Sequence, residues 1–117
     1  MSNAPYKNLE VWKKADELVV LIYNITVEFP KEEMFSLVSQ MRRSAISVPA
    51  NLVEGYGRRT KKDKLQFYYI ARGSLNEVEY YIDLAFQLKY INKENHYKLT
   101  ILRDSVGRLL NGFIKSI

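Results

Sequence analysis

Four stretches of this chain repeat their apolar residues every three or four positions and none alternates them in twos, so the sequence is committed to helices. From Leu9 to Phe29 the series Trp12, Ala15, Val19, Ile22, Ile25 (or Thr26) and Phe29 keeps that step, and Pro30 stops it. A second series, Met34, Leu37, Met41, Ala45, Val48 and Leu52, predicts a helix beginning near Glu33. Pro49 interrupts it, because proline removes a backbone donor and crowds the carbonyl four residues back. Either a kink or a break is expected at Ser47 to Pro49. The kink is preferred, since residues 50 to 54 read on as helix. Gly55 and Gly57 supply the flexible backbone of a helix end and turn.

Thr60 suits the N-cap of a third helix, with Asp63 three positions on as a weaker relative of the capping box. That helix is predicted to run to about Tyr90. Phe67, Ala71, Ser74, Val78, Tyr81, Ala85 and Leu88 step along it by fours and threes, and Tyr68, Leu75, Ile82 and Phe86 form a second apolar line beside them. Asn92 caps a fourth helix whose apolar face is Leu99, Leu102, Val106, Leu109, Leu110, Phe113 and Ile117. Short connections between four long helices make neighbours antiparallel. The predicted fold is therefore all-α, an up-down-up-down four-helix bundle kinked in its second helix, one domain over residues 1–117 with residues 1–5 as a disordered tail.

With no cysteine, the chain has no thiol nucleophile, thiolate metal site or disulfide. Its longest strongly apolar run, Leu18 to Ile22, falls well short of the roughly 18 to 20 residues a membrane span needs. No signal-peptide pattern opens the sequence, and the expectation is a cytoplasmic protein without membrane attachment. Two apolar lines on one helix, with nine tyrosines in 117 residues, exceed what one core consumes. Homo-oligomerisation is the favoured explanation over core-edge residues of a monomer.

The formal net charge is +5, and all of it lies between Val38 and Lys64: Arg42, Arg43, Arg58, Arg59, Lys61, Lys62 and Lys64 oppose only Glu54 and Asp63. Arg42 and Arg43 are about 100° apart on a helix, so at most one faces the core. Arg58 and Arg59 are accounted for by the dipole at the end of the second helix, worth about 0.3 to 1 kcal/mol. Lys61 and Lys62 are not, because they stand at a helix N-terminus, where the dipole disfavours cations. An anionic partner is the functional explanation and plain solubility the bland one.

Leu9-Glu10-Val11-Trp12, Ser47-Val48-Pro49-Ala50-Asn51 with Glu54-Gly55 and Gly57-Arg58, then Phe67 and Ala71-Arg72-Gly73-Ser74 with Glu77, together resemble one known family over nearly the whole chain. It is the four-helix-bundle family named for proteins encoded in intervening sequences of bacterial 23S rRNA genes, also labelled S23 ribosomal protein. The resemblance implies a bundle that assembles into a ring, typically a homopentamer, with no known catalytic activity. A related group, the accessory variability proteins of diversity-generating retroelements, shares the bundle and works with a reverse transcriptase and nucleic acid. That makes a nucleic-acid-processing protein a possible partner.

Glu54, Arg72 and Glu77 match this family's motif in residue type and flank apolar faces. They are expected to form a partly buried polar network that fixes helix register or a subunit contact. Asn51 is expected to bond the carbonyl freed by Pro49, and Gly73 to be compensated by close approach of another helix.

The sequence carries no recognisable catalytic or metal-binding pattern. A carboxylate-bridged di-iron bundle needs two Glu-x-x-His pairs, whereas His96 is the single histidine, with Glu94 two residues before it. His96 is expected to be exposed. Gly55-Tyr56-Gly57 follows a helix and lacks the third glycine of a dinucleotide fingerprint. The expected function is therefore a non-enzymatic oligomeric scaffold without catalytic residues, metal or cofactor. It would bind RNA, DNA or a ribonucleoprotein through Arg42, Arg43, Arg58, Arg59, Lys61 and Lys62. The alternative is an adaptor that binds protein and not nucleic acid.

Overall fold

The computed structural model describes residues 3–117 and contains four long helices, with no strand among the described residues. They are α1 (Glu10–Thr26), α2 (Leu37–Tyr56), α3 (Lys61–Gln87) and α4 (Lys93–Lys115). Each packs against its two neighbours to close a four-helix bundle of 43 × 25 × 23 Å, and the α2/α3 pair is the most extensive. Contacts run oppositely along each pair, as antiparallel order requires. Thr26 meets Arg42, Ser47 meets Ser74, Gly55 meets Tyr68, Tyr68 meets Phe113 and Asp83 meets His96.

The polar side chains at the two predicted caps do what the sequence demands. Thr60 Oγ1 accepts the Asp63 amide at 3.1 Å, and Asn92 Oδ1 accepts the Asn95 amide at 2.8 Å. Each satisfies one of the donors a helix start leaves unpaired. Pro49 does not break α2, which continues unbroken to Tyr56. Asn51 does not serve the carbonyl that Pro49 frees, that of Ala45. Its Nδ2 donates to the Ser47 carbonyl (2.8 Å) and hydroxyl (3.0 Å) instead. The reason is register: a helical side chain lies over the turn before it, and one turn before Asn51 is Ser47.

Several boundaries differ from expectation. α1 ends at Thr26, four residues before Pro30, where the Thr26 hydroxyl donates back to the Ile22 carbonyl at 2.7 Å. α2 starts at Leu37, not near Glu33, because Lys31–Glu33 form a 3-10 turn, and Met34 is 45% exposed. α3 stops at Gln87, where Lys89 takes a positive φ of 64°. Gly57 ends α2 without using glycine's left-handed freedom, at φ −80°. Pro5, the last residue of the expected tail, opens a 3-10 turn, Pro5–Asn8, that sets the Tyr6 ring 5.3 Å from Trp12. Residues 1 and 2 lie outside the described residues.

The core is built from Leu18 and Ile22 of α1, Met41, Val48 and Leu52 of α2, Tyr68, Leu75, Val78 and Ile82 of α3, and Leu99, Val106 and Leu110 of α4. On α3 the buried series Tyr68, Ala71, Leu75, Val78, Ile82 and Ala85 alternates steps of three and four. The second apolar line is thus half of the core seam and not a surplus, while Leu88, expected in the seam, is exposed. The α1 face is likewise rotated from the expected one, with Val11 and Leu18 buried and Trp12 and Val19 only partly so.

Small residues let α2 and α3 approach closely, with Gly55 against Tyr68 and Ser47 against Ser74. A Cβ on Gly55 would stand 2.6 Å from Tyr68 Cε1 and 3.1 Å from the Lys64 carbonyl oxygen. Gly73, expected to be the site of close helix approach, has nothing within 4 Å. Gly55→Ala should therefore destabilise by roughly 1 to 3 kcal/mol through overpacking. Gly73→Ala should stabilise by up to about 1 kcal/mol through helix propensity. Urea unfolding of the two variants checks both signs.

Two tyrosines tie stability to alkaline pH. Burial, then the neighbouring Tyr56, raises the Tyr68 pKa above the ordinary 10.0. The hydrogen bond from the Tyr90 hydroxyl to Glu33 Oε2 (2.8 Å) raises that of Tyr90, with smaller contributions from burial and from the charges of Glu33 and Glu32. The folded state holds both protons more tightly than the unfolded chain. The stability so gained is complete below pH 10 and is lost as pH rises through the folded values. The urea midpoint should hold up to about pH 10 and fall above it, less steeply in Tyr90→Phe.

Candidate nucleic-acid interface

The six candidate cations do not form one patch. α2 is continuous from Leu37 to Tyr56, and at 1.5 Å per residue Arg42 and Arg43 stand about 20 Å from the end that carries Arg58 and Arg59. Arg42 is also occupied by the fold. Its Nε donates to Thr26 Oγ1 at 3.0 Å and its guanidinium lies 4.4 Å from the centre of the Tyr23 ring, tying α2 to α1. Arg43 is exposed, with no side-chain partner among the described residues.

At the α2/α3 turn the helix ends sort the remaining cations into two groups. The C-terminal carbonyls of α2 need positive partners, and Lys64 supplies one, its Nζ 2.9 Å from the Tyr56 oxygen and 3.5 Å from that of Gly55. Arg58 pairs with Glu54 one turn back and lays its guanidinium 4.7 Å from the centre of the Phe67 ring. Structure thus accounts for Lys64 and Arg58. Arg59, Lys61 and Lys62 are exposed and have no side-chain partner among the described residues. Lys61 and Lys62 occupy the first turn of α3, where the helix dipole disfavours cations by about 0.3 to 1 kcal/mol. The cap bond to Asp63 leaves their own amides pointing outward from the helix start. An exposed anion here would meet backbone donors and three flexible cations together, opposed locally only by Asp63.

Glu54, Arg72 and Glu77 do not come together as a network within the chain. Glu54 serves Arg58, while Arg72 Nη1 donates to Asn111 Oδ1 at 3.3 Å and stacks over Tyr69 at 5.0 Å. Glu77 is exposed on α3 with no side-chain partner among the described residues. The reason is their spacing along the bundle axis, since α2 ends at the turn and Arg72 and Glu77 lie several turns further along α3. Asn51 does belong to a polar bridge, but with Ser47 and Ser74, whose hydroxyls meet at 2.7 Å between α2 and α3. His96 is likewise not free: its Nε2 lies 3.0 Å from Asp83 Oδ1 and its ring stacks on Phe86 at 4.4 Å.

Arg103 escaped the sequence reading although a signal existed. Leu99, Arg103, Val106 and Leu110 are spaced as one core-facing row of α4, so a cation at the second position is an anomaly. The side chain is only 14% exposed and is fully engaged, with Leu75 O at 3.4 Å, Asn76 Oδ1 at 3.1 Å, Glu79 Oε2 at 3.4 Å and Asp104 Oδ1 at 3.1 Å. It ties α3 to α4. No group of histidine, cysteine and carboxylate side chains among the described residues is placed to hold a metal ion, and no helix is long and apolar enough to cross a membrane.

Against known proteins, residues 7–112 match the family model described as 23S rRNA-intervening sequence protein. The fold is similar to a crystal structure from Bacteroides thetaiotaomicron, described as a protein with unknown function from the S23 ribosomal protein family. That likeness has a TM-score of 0.82 and 27% sequence identity, covering 90% of this chain and 95% of the other. No curated protein matches.

Proposed function

Because the chain belongs to the 23S rRNA-intervening sequence protein family, we propose that it is a cytoplasmic, non-enzymatic bundle that associates with copies of itself and binds RNA at the α2/α3 turn. The carrying observation is the placement of Arg59, Lys61 and Lys62: three exposed, unpaired cations at the α2/α3 turn, two of them in a helix first turn that does not favour them. Binding there is chiefly to phosphates, so it is insensitive to base sequence and sensitive to salt. Arg58 contributes after exchanging its Glu54 partner, and Arg43 forms a separate contact point half a bundle away.

Self-association is supported by apolar surface that the core leaves uncovered. Phe35 is 96% exposed, and Val20 and Val27 of the α1 segment are more than half exposed. A ring of five copies is the arrangement the family resemblance suggests. The same surface also favours a second reading, an adaptor that grips a partner protein and leaves nucleic acid alone. Its mark would be capture of a partner that withstands nuclease and high salt.

Light scattering with and without a short single-stranded RNA, repeated across salt concentrations, tests the proposal. The expected outcome is an assembly larger than one chain that takes up RNA at low salt and releases it as salt rises. For the Arg59→Gln, Lys61→Gln, Lys62→Gln triple variant the slope of log affinity against log salt should be shallower by about 2, three contacts at roughly 0.7 each. A salt-independent affinity, or a triple variant that binds as well as the parent, overturns RNA binding at the turn.

A further inference from the structure

A second feature lies along the side of the bundle, between α3 and α4. There the helices leave a groove of about 350 Å³ whose floor is Leu75 and Gly107. Gly107 leaves that floor bare, and a Cβ there would rest in ordinary contact, 3.7 Å from Leu75 Cδ2 and 3.8 Å from Arg103 Nη1. The rims are Arg72 and Asn76 on α3 and Arg108 and Asn111 on α4, all exposed. At one end Arg103 is saturated by Asn76, Glu79 and Asp104, which leaves that end without a free cation and with carboxylates on it. Towards the other end the cations are lightly held. Arg108 has no side-chain partner among the described residues, and Arg72 has one 3.3 Å bond to Asn111 and a stacking contact with Tyr69, a ring 48% exposed.

Lys62, Tyr69 and Asn76 repeat every seven residues on α3, so one face of that helix runs from the α2/α3 turn into the groove. The row is about 20 Å long. Guanidinium forks that match phosphate geometry, amides able to donate and accept, and an exposed ring beside a cation-lined groove are the elements of single-strand recognition. A free anion of small size needs no such length and no ring.

We infer that the α3/α4 groove continues the binding track from the turn and holds a single strand of RNA. Arg72 and Arg108 contact phosphates there, a base stacks on Tyr69, and the track ends at the Arg103 cluster. This rests on the RNA-binding reading of the turn. A duplex offers no unstacked base to Tyr69 and should bind more weakly than the single strand.

The test is fluorescence anisotropy of a labelled oligouridylate across a potassium chloride series. It compares the parent protein, the Arg72→Gln/Arg108→Gln variant, Tyr69→Leu and the triple variant of the turn, each shown folded by circular dichroism. The groove double variant should lose about tenfold in affinity and its salt slope should be shallower by about 1.4, two single-strand contacts at roughly 0.7 each. Tyr69→Leu should weaken binding with the slope unchanged, and a 4-thiouridine strand should crosslink to the peptide holding Tyr69. If the groove variants bind like the parent while the turn variant loses affinity, the groove inference is wrong and the reading of the turn stands. If every variant binds like the parent, or the parent binds nothing, both are wrong.

Discussion

The close approach of α2 to α3 is the constraint on which the other arrangements depend. Gly55 leaves room for the Tyr68 ring, and the Ser47 and Ser74 hydroxyls bond between the two helices. An extra methyl group at Gly55 would meet both an aromatic ring and a backbone carbonyl, one of which has to move. The same proximity brings the Lys64 ammonium onto the last carbonyls of α2, so the tight turn and the tight interface support one another. With those two helices fixed, α1 and α4 cover the remaining faces and complete the core.

That packing also decides which charges are spoken for. A helix C-terminus attracts cations and a helix N-terminus repels them, and the α2/α3 turn places one of each side by side. Lys64 and Arg58 answer the first, and the lysines of the α3 first turn go against the second. Arg42, with the same formal charge, is drawn into the α1/α2 contact by Thr26 and Tyr23. Proximity in sequence grouped these residues as one patch, whereas the long continuous α2 separates them. A count of charges along the chain therefore overstates the cluster, and the structure reduces it to the residues for which the fold offers no partner.

The elements governed by local rules were legible in the sequence. Both N-caps, the glycine-bearing turn and the four helices follow from side-chain chemistry within a few residues. What was not legible depended on which neighbour each face meets. Val11 and Leu18 compete with Trp12 and Val19 for the α1 core face, and only the position of α2 and α4 decides between them. Gly73 and Gly55 look alike as helical glycines, yet one faces open space and the other a ring. Glu54, Arg72 and Glu77 share a motif without sharing a location, since residues grouped by a pattern of types need not meet inside one chain. Arg103 was readable in principle from its place in a core row of α4, but its carboxylate and amide partners on α3 are twenty or more residues away in sequence.

Arg103 also separates structural from available charge on the α3/α4 face. Its four-way engagement ties the two helices together and offsets one of the two negative charges of Glu79 and Asp104. Without it the Asp104 end of the groove would be more negative by one charge, to the cost of any anion approaching Arg72 and Arg108. A mostly buried cation thereby tempers the charge of the surface beside it. This links the bundle's packing to the electrostatics of its flank: stability and binding here draw on different arginines, and the fold keeps them apart by burying one and leaving the others on the rim.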